Sequence, residues 1–566
     1  MSINLFQPGM ILVVCGLLAL ILPESLRKIL VLVAPIGTLA AVVTYDGDQL
    51  AFMFGLIFSL ISLIAAIYNL HVKDRYEIAS EMVYAGSSIS VVFAATWINL
   101  IVFWEVMAVA SWLIILCARN ERATKAGFRY LLVHMLGGNL LLAGIIIKLV
   151  QGSTAVTLLT TATPDAAYWL ILAGVAVNAA IPPLHSWIAD AYPEAPMGGT
   201  VYMGSFTTKV GVYCLIRLFA GTELLLYFGV AMAVLGACMA LMENDLRKLL
   251  AYHIVSQVGY MVASLALGGA MGIDGAAAHA FNHILYKGTL FMCAGVIIES
   301  TGFRKISDLG GLAKKMPVTA LCFLAASMAI AGFPLFNGFV SKSLIMGAAA
   351  ESGIHWAELL LMLASVGTLM SVTLKINWFV FFGKTDKDIQ VSESEVPMNR
   401  KIAMVMGATS CFACGIMPGF TYDITPYGID GHPFTVDHVT QYMQLFSAAA
   451  IAFFMYLEHM KPHVAITLDT DWFYRKPLKA AISWISVNCE GIRQGSGKVL
   501  GTLVQKGNTY LHKPELLLEK WFGLKPAVSP DCLEDDDVLQ KPAGVLVGLN
   551  FVIFLAVVLF VFYNLK

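Results

Sequence analysis

The run AGFPLFNGFVSK, residues 331–342, lies at the centre of the apolar segment 318–350 and cannot form a plain membrane helix. Pro334 has no amide hydrogen and clashes with the preceding turn, and the glycines on either side loosen the backbone. We therefore expect the helix to break near mid-bilayer, where non-helical backbone is tolerated only inside protein or beside a water-filled cavity. Lys342 follows the break. A lysine at that depth indicates a function unless its side chain reaches the membrane interface.

The composition excludes a soluble globular protein. Of the 566 residues, 58% are hydrophobic and 13% are charged, and the mean hydropathy is +0.76. Such a chain crosses a membrane many times. The formal net charge of -1 gives no sign of nucleic-acid binding. Cys411 and Cys414 form a C-x-x-C pair inside an apolar segment, which favours packing over metal or redox chemistry.

Windows of about 20 residues predict sixteen membrane spans. The first apolar run lacks a basic n-region and a small-residue cleavage site, so we interpret it as a retained span. The spans are 8–22, 28–45, 50–70, 80–97, 98–118, 124–150, 166–190, 197–220, 222–241, 247–269, 274–299, 316–348, 355–383, 401–420, 437–459 and 543–564.

The loops between these spans alternate in charge. By the positive-inside rule the basic loops are cytoplasmic, which places both termini on the outer side of a cell inner (plasma) membrane. Lysine and arginine occur in the loops near 27–28, 73–75, 119–125, 247–248, 304–315 and 384–401, and almost none occur near 44–49, 96–99, 268–274 and 418–437.

Ionisable residues inside the spans are few. His279, His283 and Lys287 recur every four residues and therefore share one face of their helix. With Lys342, the candidates for ion translocation are Glu105, Lys209, His279, His283, Lys287 and Lys375.

A second broken segment is predicted at 181–196, where two adjacent prolines interrupt the apolar pattern. Twice, a proline-interrupted stretch precedes a helix with a central lysine: Lys209 follows the first break and Lys375 the second. Paired interruptions of this kind indicate two repeats built around a transport site. The spacing alone does not tell whether the repeats are inverted.

Lysines and histidines inside a membrane can pass protons through hydration water when burial and neighbouring charges weaken their hold on the proton. A carboxylate such as Glu105 would keep a nearby lysine protonated. Each residue also has a structural interpretation. Glu105 could form a static ion pair, Lys375 could reach the interface, and His279 and His283 could be hydrogen-bonded core residues.

Five stretches resemble the antiporter-like membrane subunits shared by respiratory complex I, membrane-bound hydrogenases and Mrp-type cation/proton antiporters. Residues 103–105 resemble the family's glutamate helix, and 181–196 resemble its P-x-H-x-W-L-x-D-A…A-P stretch. Residues 245–260 are similar to its D-x-K-R-x-L-A-Y-S-x-x-S-Q-x-G signature. Residues 279–287 match H-x-x-x-H-x-x-x-K, and 332–342 resemble a broken helix ending in G-F-x-x-K.

The resemblance implies a pair of inverted five-helix repeats, each a half-channel, joined by a central hydrophilic axis. In that scheme Glu105 couples to a neighbouring subunit, Lys209 is the middle lysine of the first repeat, and Lys342 is the gate of the second. The helix carrying 279–287 forms the central relay. Lys248 would lie near the cytoplasmic mouth.

Two positions differ from the family pattern. The family usually carries a lysine in the first broken helix, where this chain has Asn178, so the first half-channel is expected to pass ions differently or to be silent. His253 stands where the signature usually has serine. The implied division is 1–79 (N-terminal helices), 80–220 and 221–384 (the repeats), 385–459 (C-terminal helices), 460–541 (a cytoplasmic segment) and 542–566 (the last helix).

The cytoplasmic segment carries apolar residues at roughly helical spacing between Lys476 and Leu511, among basic residues. This pattern fits an amphipathic helix lying on the interface or on a partner, and it fits an ordinary cytoplasmic cap equally well. The last three regions are similar in order to the lateral helix of the longest complex I subunit. They differ from it in length and glycine content, so only contact with a partner subunit is implied.

The sequence thus predicts a subunit of a multisubunit complex that moves H⁺, with Na⁺ exchange as an alternative, and that holds neither cofactor nor metal. A proton-pumping membrane-arm subunit of a complex I-type NADH:quinone oxidoreductase or of a membrane-bound hydrogenase is the nearest alternative. The line of interior lysines argues against a pure scaffold. A redox subunit of another class would bind haem between membrane histidines, for which the candidates are His134, His253, His279 and His283.

Overall fold

The computed structural model describes residues 7–159, 164–387 and 389–463, together with a few positions between 469 and 484. Within these ranges the chain is helical and has no strand beyond two isolated bridges. The predicted last span, 543–564, lies outside the described residues, as does most of the predicted amphipathic helix 476–511.

Nineteen α-helices are present in the described ranges, and each of the fifteen spans predicted before residue 460 overlaps at least one of them. The first ten are α1 (Gly9–Ala19), α2 (Glu24–Val43), α3 (Gln49–Tyr68), α4 (Arg75–Val92), α5 (Trp97–Leu116), α6 (Glu121–Val150), α7 (Ala166–Asn178), α8 (Trp187–Ala191), α9 (Met197–Ser205) and α10 (Thr207–Phe219). The others are α11 (Glu223–Met242), α12 (Leu246–Leu267), α13 (Gly269–Thr301), α14 (Pro317–Ala331), α15 (Asn337–Glu351), α16 (His355–Thr368), α17 (Met398–Ile416), α18 (Pro418–Asp423) and α19 (Val436–Met455).

Eight of these helices are long and apolar enough to cross a membrane. They are α2, α3, α5, α6, α11, α12, α13, and α16 with its π-helical continuation Leu369–Phe382. The apolar parts of α12 and α13 are entirely buried inside the fold, and α13 packs against α3, α9, α10, α12, α14, α15 and α17. The polar face predicted on 279–287 therefore lies at the centre of the bundle.

The break predicted at Pro334 is present. Helix α14 ends at Ala331, Gly332 adopts a left-handed conformation with φ 85°, and α15 begins at Asn337. A Cβ at Gly338 would collide with the carbonyl of Ala329, so the two half-helices approach more closely than a side chain would permit. Leu335, inside the break, has φ 77°, which a non-glycine residue rarely adopts.

The break predicted at 181–196 is also present, since α7 ends at Asn178 and α8 begins only at Trp187. Ala180 lies in this break with φ 56°, so each predicted break holds one non-glycine residue in the left-handed region. Such conformations persist where the surrounding structure enforces them, often at functional sites. A third interruption, at Phe206 between α9 and α10, was not predicted because no proline marks it.

Ion pairs tie several basic loops together at one end of the bundle. Arg119 pairs with Asp74 at 2.5 Å, and Arg304 pairs with Glu194 at 2.9 Å and also with Asp245. Loops that the charge pattern predicts on one side of the membrane are thus in contact. The opposite end is linked separately, by Asp48 with Arg217 and by Lys148 with Asp165.

Candidate functional site

The ammonium groups of three predicted lysines lie at the C-terminal ends of other helices. The Lys342 ammonium donates to the carbonyls of Ile330 (3.0 Å) and Ala331 (3.1 Å), the last two residues of α14. It also donates to Ser365 Oγ at 3.1 Å and lies 4.8 Å from the Tyr260 ring centroid. These contacts hold a positive charge at the negative end of the α14 dipole.

Lys209 and Lys375 follow the same rule. Lys209 Nζ donates to the carbonyl of Gly204 at 2.6 Å, at the end of α9, and to Thr208 Oγ1 at 3.1 Å. Lys375 Nζ donates to the carbonyls of Leu241 (2.7 Å) and Glu243 (2.8 Å), at the end of α11. Helices α9, α11 and α14 therefore each supply C-terminal carbonyls to a lysine.

The helix α13 presents the predicted relay in the core. His279 lies 2.9 Å from Ser341 Oγ through Nδ1 and 3.2 Å from Gln257 Oε1 through Nε2. His283 and Lys287 are fully buried, and their side-chain nitrogens have no hydrogen-bond partner within the described ranges. Lys287 lies close enough to Lys209 for their charges to interact.

Further buried polar side chains lie between α13 and the end of the bundle that carries the basic loops. His253 Nε2 lies 2.7 Å from Ser371 Oγ, one helical turn before Lys375 on the π-helical segment. Lys248 pairs with Glu243 at 3.1 Å and is 31% exposed, whereas Lys375 is 3% exposed. Lys248 is therefore the more accessible of the two lysines. The Lys375 side chain reaches the end of α11 from inside the fold. This is the interface location that the sequence allowed as the alternative for Lys375.

Glu105 stands apart from the lysines. Its carboxylate packs on Gly138 of α6, where an added Cβ would collide with Oε1, and the side chain is partly exposed. Across the described ranges it has no hydrogen bond and no cation within ion-pair distance. Among the residues that the structure describes, Glu105 forms neither a static ion pair nor a direct contact with Lys209.

Two carboxylates on α4, Glu77 and Glu81, were not predicted as candidates from the sequence. A cavity of about 460 Å³ opens among the basic loops, and its walls include Glu77, Glu194, Glu299, Arg247 and Arg304.

Glu81 lies one turn beyond Glu77 on α4 and is 2% exposed, with both oxygens accepting hydrogen bonds from Asn69 Nδ2 at 2.8 and 2.9 Å. The next turn carries Tyr84, whose hydroxyl lies 2.6 Å from Thr207 Oγ1, beside the Lys209 site. The spacing of the two glutamates, four residues apart, was the available signal, but the predicted span began at residue 80.

Two more contacts were outside the reach of sequence reasoning. His134 Nδ1 lies 2.9 Å from Asn178 Oδ1, although 44 residues separate them. Asp469 lies 3.2 Å from His185 Nε2 and accepts a hydrogen bond from the Tyr252 hydroxyl at 3.0 Å. Burial raises the pKa of Asp469, but hydrogen bonds from His185, the Thr470 amide and Tyr252 outweigh burial and hold the pKa below its usual value.

Comparison with known proteins identifies the family of the chain. Residues 94–371 match the family model described as NADH:quinone oxidoreductase/Mrp antiporter, TM. The uncharacterized protein MJ1309 of Methanocaldococcus jannaschii is 30% identical over 365 residues, which cover 61% of this chain and 76% of that protein. The hydrogenase-4 component B of Escherichia coli is 28% identical over 412 residues, which cover 64% of this chain and 61% of that protein. The chain therefore spans less than two thirds of the second relative.

A chain of the solved Mrp complex from Dietzia sp. has the same fold. The superposition covers 78% of this chain and 95% of that chain, with a TM-score of 0.64 and 22% identity. The helical architecture is thus that of a polytopic membrane subunit found in a multisubunit complex.

Proposed function

Because the chain belongs to the NADH:quinone oxidoreductase/Mrp antiporter family of membrane proteins, we propose that it is an ion-translocating subunit of a multisubunit membrane complex. The ion is H⁺, with exchange of Na⁺ for H⁺ as the alternative. The observation that carries the proposal is the burial of Lys209, Lys287 and Lys342, each 0% exposed, without a carboxylate partner in the described ranges.

The hydrogen bonds of the lysines support proton exchange. A lysine paired with a buried carboxylate cannot lose its proton without leaving an uncompensated anion, which costs several kcal/mol. Lys209 and Lys342 are held by carbonyl and hydroxyl oxygens instead. Each can therefore release a proton and leave only neutral groups behind. Moving one charge against 100 mV takes about 2.3 kcal/mol. Two unit charges about 7 Å apart at an effective dielectric of about 20 interact by about that amount.

The path that we propose has two half-channels, 80–220 and 221–384, related as inverted repeats and joined at α13. Lys209 and Lys342 serve the first and second half, with His279, His283 and Lys287 between them. Lys375, Glu243 and Lys248 lead to the cytoplasmic mouth, and both termini lie outside. Since Glu105 is partly exposed and unpaired in the described chain, it is available to a neighbouring membrane subunit, whose charge would set the direction of transfer.

A role in the membrane arm of a complex I-type or hydrogenase-linked enzyme is the second form of the same activity. The family description includes both the quinone oxidoreductase and the antiporter. The companion subunits discriminate between them. Iron–sulfur proteins that copurify with the chain would favour the redox-driven form, and small membrane subunits without them would favour the antiporter.

The test is Lys342→Met in the intact complex, measured as dye-reported proton movement in everted membrane vesicles. We expect transport to fall to background while the complex assembles normally, because methionine fills the same space and cannot carry a proton. Lys314→Met, at an exposed position, is the matched control. Full transport by Lys342→Met would overturn the proposed function.

A further inference from the structure

His134 lies inside α6 and has no role in the path described above. The side chain is 2% exposed, and Nδ1 is 2.9 Å from Oδ1 of Asn178, the last residue of α7. Its other ring nitrogen, Nε2, is buried and has no hydrogen-bond partner among the residues that the structure describes. Unpaired buried polar atoms are rare in native proteins and call for an explanation.

Aromatic neighbours fix the plane of the imidazole. The Tyr130 ring lies 4.1 Å from the His134 ring, and the Trp187 ring lies 4.5 Å away in an edge-on arrangement. Both aromatics are themselves anchored, because Tyr130 donates to Ser111 Oγ at 2.9 Å and Trp187 Nε1 donates to the carbonyl of Val177 at 3.1 Å. The ring therefore cannot turn to bury Nε2 elsewhere without disturbing two fixed neighbours.

Helix geometry brings a carboxylate to the same face. Gly138, on which Glu105 packs, follows His134 by four residues, so the two positions are adjacent on the surface of α6. The other charged residues on elements that pack against α6 already have partners. Asp190 on α8 pairs with Arg129 at 2.7 Å, and Glu194 pairs with Arg304. Glu105 is thus the one unpaired charge next to the His134 turn in the described fold.

The two predicted breaks have a common plan. At the second break, Lys342 from α15 contacts the last residues of α14. At the first break, His134 from α6 contacts the last residue of α7. In both cases a buried titratable side chain meets the end of an interrupted helix, through backbone carbonyls for Lys342 and through the Asn178 side chain for His134. Lys209, the other titratable group of the first half, lies at the separate α9–α10 interruption.

We propose that His134 is the proton-carrying side chain at the first break. Asn178 Oδ1 accepts a hydrogen bond from Nδ1–H and so fixes the tautomer. A proton arriving from the Glu105 side binds the Nε2 lone pair to give an imidazolium, and the same Nε2–H bond breaks when the proton moves on. This inference rests on the proposed function and deepens it. The half-channel that carries Asn178 in place of a lysine is active, and imidazole takes the part of the missing amine.

The first experiment compares His134→Gln with the exchange variant His134→Asn/Asn178→His in the full complex, reconstituted into liposomes. Glutamine can still donate to Asn178 but cannot accept and release a proton at neutral pH. We expect His134→Gln to lower proton transport at least tenfold with assembly unchanged. The exchange variant returns an imidazole to the same site and should recover most of the rate. Failure of the exchange variant to recover any transport would mean that His134 only packs, and would overturn the inference.

Lys342→Met, measured in parallel, distinguishes failure of this inference from failure of the proposed function. If Lys342→Met is inactive and His134→Gln transports at the parent rate, the His134 inference fails and the proposed function stands. If both variants transport at the parent rate, the proposed function fails.

A second measurement remains decisive if His134→Gln does not assemble. Asn178→Asp leaves the imidazole in place and puts a carboxylate beside it, which stabilises the imidazolium. The midpoint of the pH–rate profile should therefore move to higher pH. An unchanged midpoint would overturn the inference.

Discussion

Gly138→Ala tests whether the position of the Glu105 carboxylate controls transport. The added Cβ would collide with Oε1 and lie 3.0 Å from Cδ, so the carboxylate must rotate away from α6. The obstacle is the far end of a flexible side chain and not backbone, and the helices can therefore stay where they are. Gly127→Ala, on the same helix, is the matched control, since its Cβ meets only the Ile115, Leu116 and Trp112 side chains at 3.2–3.5 Å.

Two opposing effects set the change in the free energy of unfolding caused by Gly138→Ala. Alanine in place of glycine favours a helix interior by about 1 kcal/mol. An off-rotamer Glu105 costs about 0.5–1.5 kcal/mol. The free energy of unfolding should therefore change by no more than about 1 kcal/mol. The effect on transport follows from the distance between the Glu105 carboxylate and the charge of the neighbouring subunit. At an effective dielectric of about 20, an increase of that distance from about 5 Å to about 6.5 Å weakens the interaction by about 0.8 kcal/mol, which is about fourfold in rate.

The assay is proton movement in everted vesicles that contain the intact complex, with the amount of assembled complex measured in the same samples. We expect Gly138→Ala to transport about three to five times more slowly than Gly127→Ala, at equal assembly. When Glu105→Gln is added to both alanine variants, their transport rates should no longer differ, because the displaced side chain no longer carries charge. Equal rates for the two alanine variants would refute the assignment of Glu105 to charge transfer.

Three further predictions follow from the described contacts. Glu81→Gln should slow transport several-fold at neutral pH without unfolding the protein, since glutamine can still accept a hydrogen bond from Asn69 but cannot release a proton. Transport at the parent rate would show that Glu81 carries no proton. Gly338→Ala should lower the melting temperature of the complex, because the added Cβ overpacks against the Ala329 carbonyl at a cost of about 1–3 kcal/mol. Gly419→Ala, at an open position, should leave the melting temperature unchanged. Equal melting temperatures for the two variants would contradict the close approach of the half-helices. Because Asp469 has a lowered pKa, its anchoring contribution is present above the ordinary value of about 3.9 and is lost as the pH falls through the lowered value. Limited proteolysis should therefore release its segment only below about pH 4, and release at neutral pH would contradict the anchor.

The breaks show what a sequence can reveal. Pro334 marks its interruption in the sequence because proline removes a donor wherever it stands, and the helix breaks where that residue predicts. The interruption at Phe206 has no such mark. It arises where α9 and α10 meet the core, so tertiary packing overrides a sequence that would be compatible with one continuous helix. The π-helical turns that carry Lys375 are equally silent in the sequence.

The candidate site also has features that the sequence predicts and features that it does not. Periodicity placed His279, His283 and Lys287 on one buried face, because spacing along a helix fixes direction locally. The partners of His279, which are Ser341 and Gln257, could not be predicted, because they come from other parts of the chain. His134 and Asn178 are 44 residues apart, and nothing in either local pattern specifies the 2.9 Å contact.

Interrupted helices explain how one bundle can hold several buried lysines. A continuous helix uses its carbonyls internally, whereas a helix that ends inside the protein leaves its last carbonyls free and places the negative end of its dipole there. Lysine is drawn to those oxygens at the ends of α9, α11 and α14. Hydrogen bonds to a charged group contribute about 1.5–3 kcal/mol each, and they offset part of the desolvation cost without requiring a buried anion. Because the acceptors stay neutral when the proton leaves, the charged and uncharged lysines are closer in free energy than an ion pair would allow. Proton exchange in this fold therefore depends on where helices end, as well as on where lysines occur.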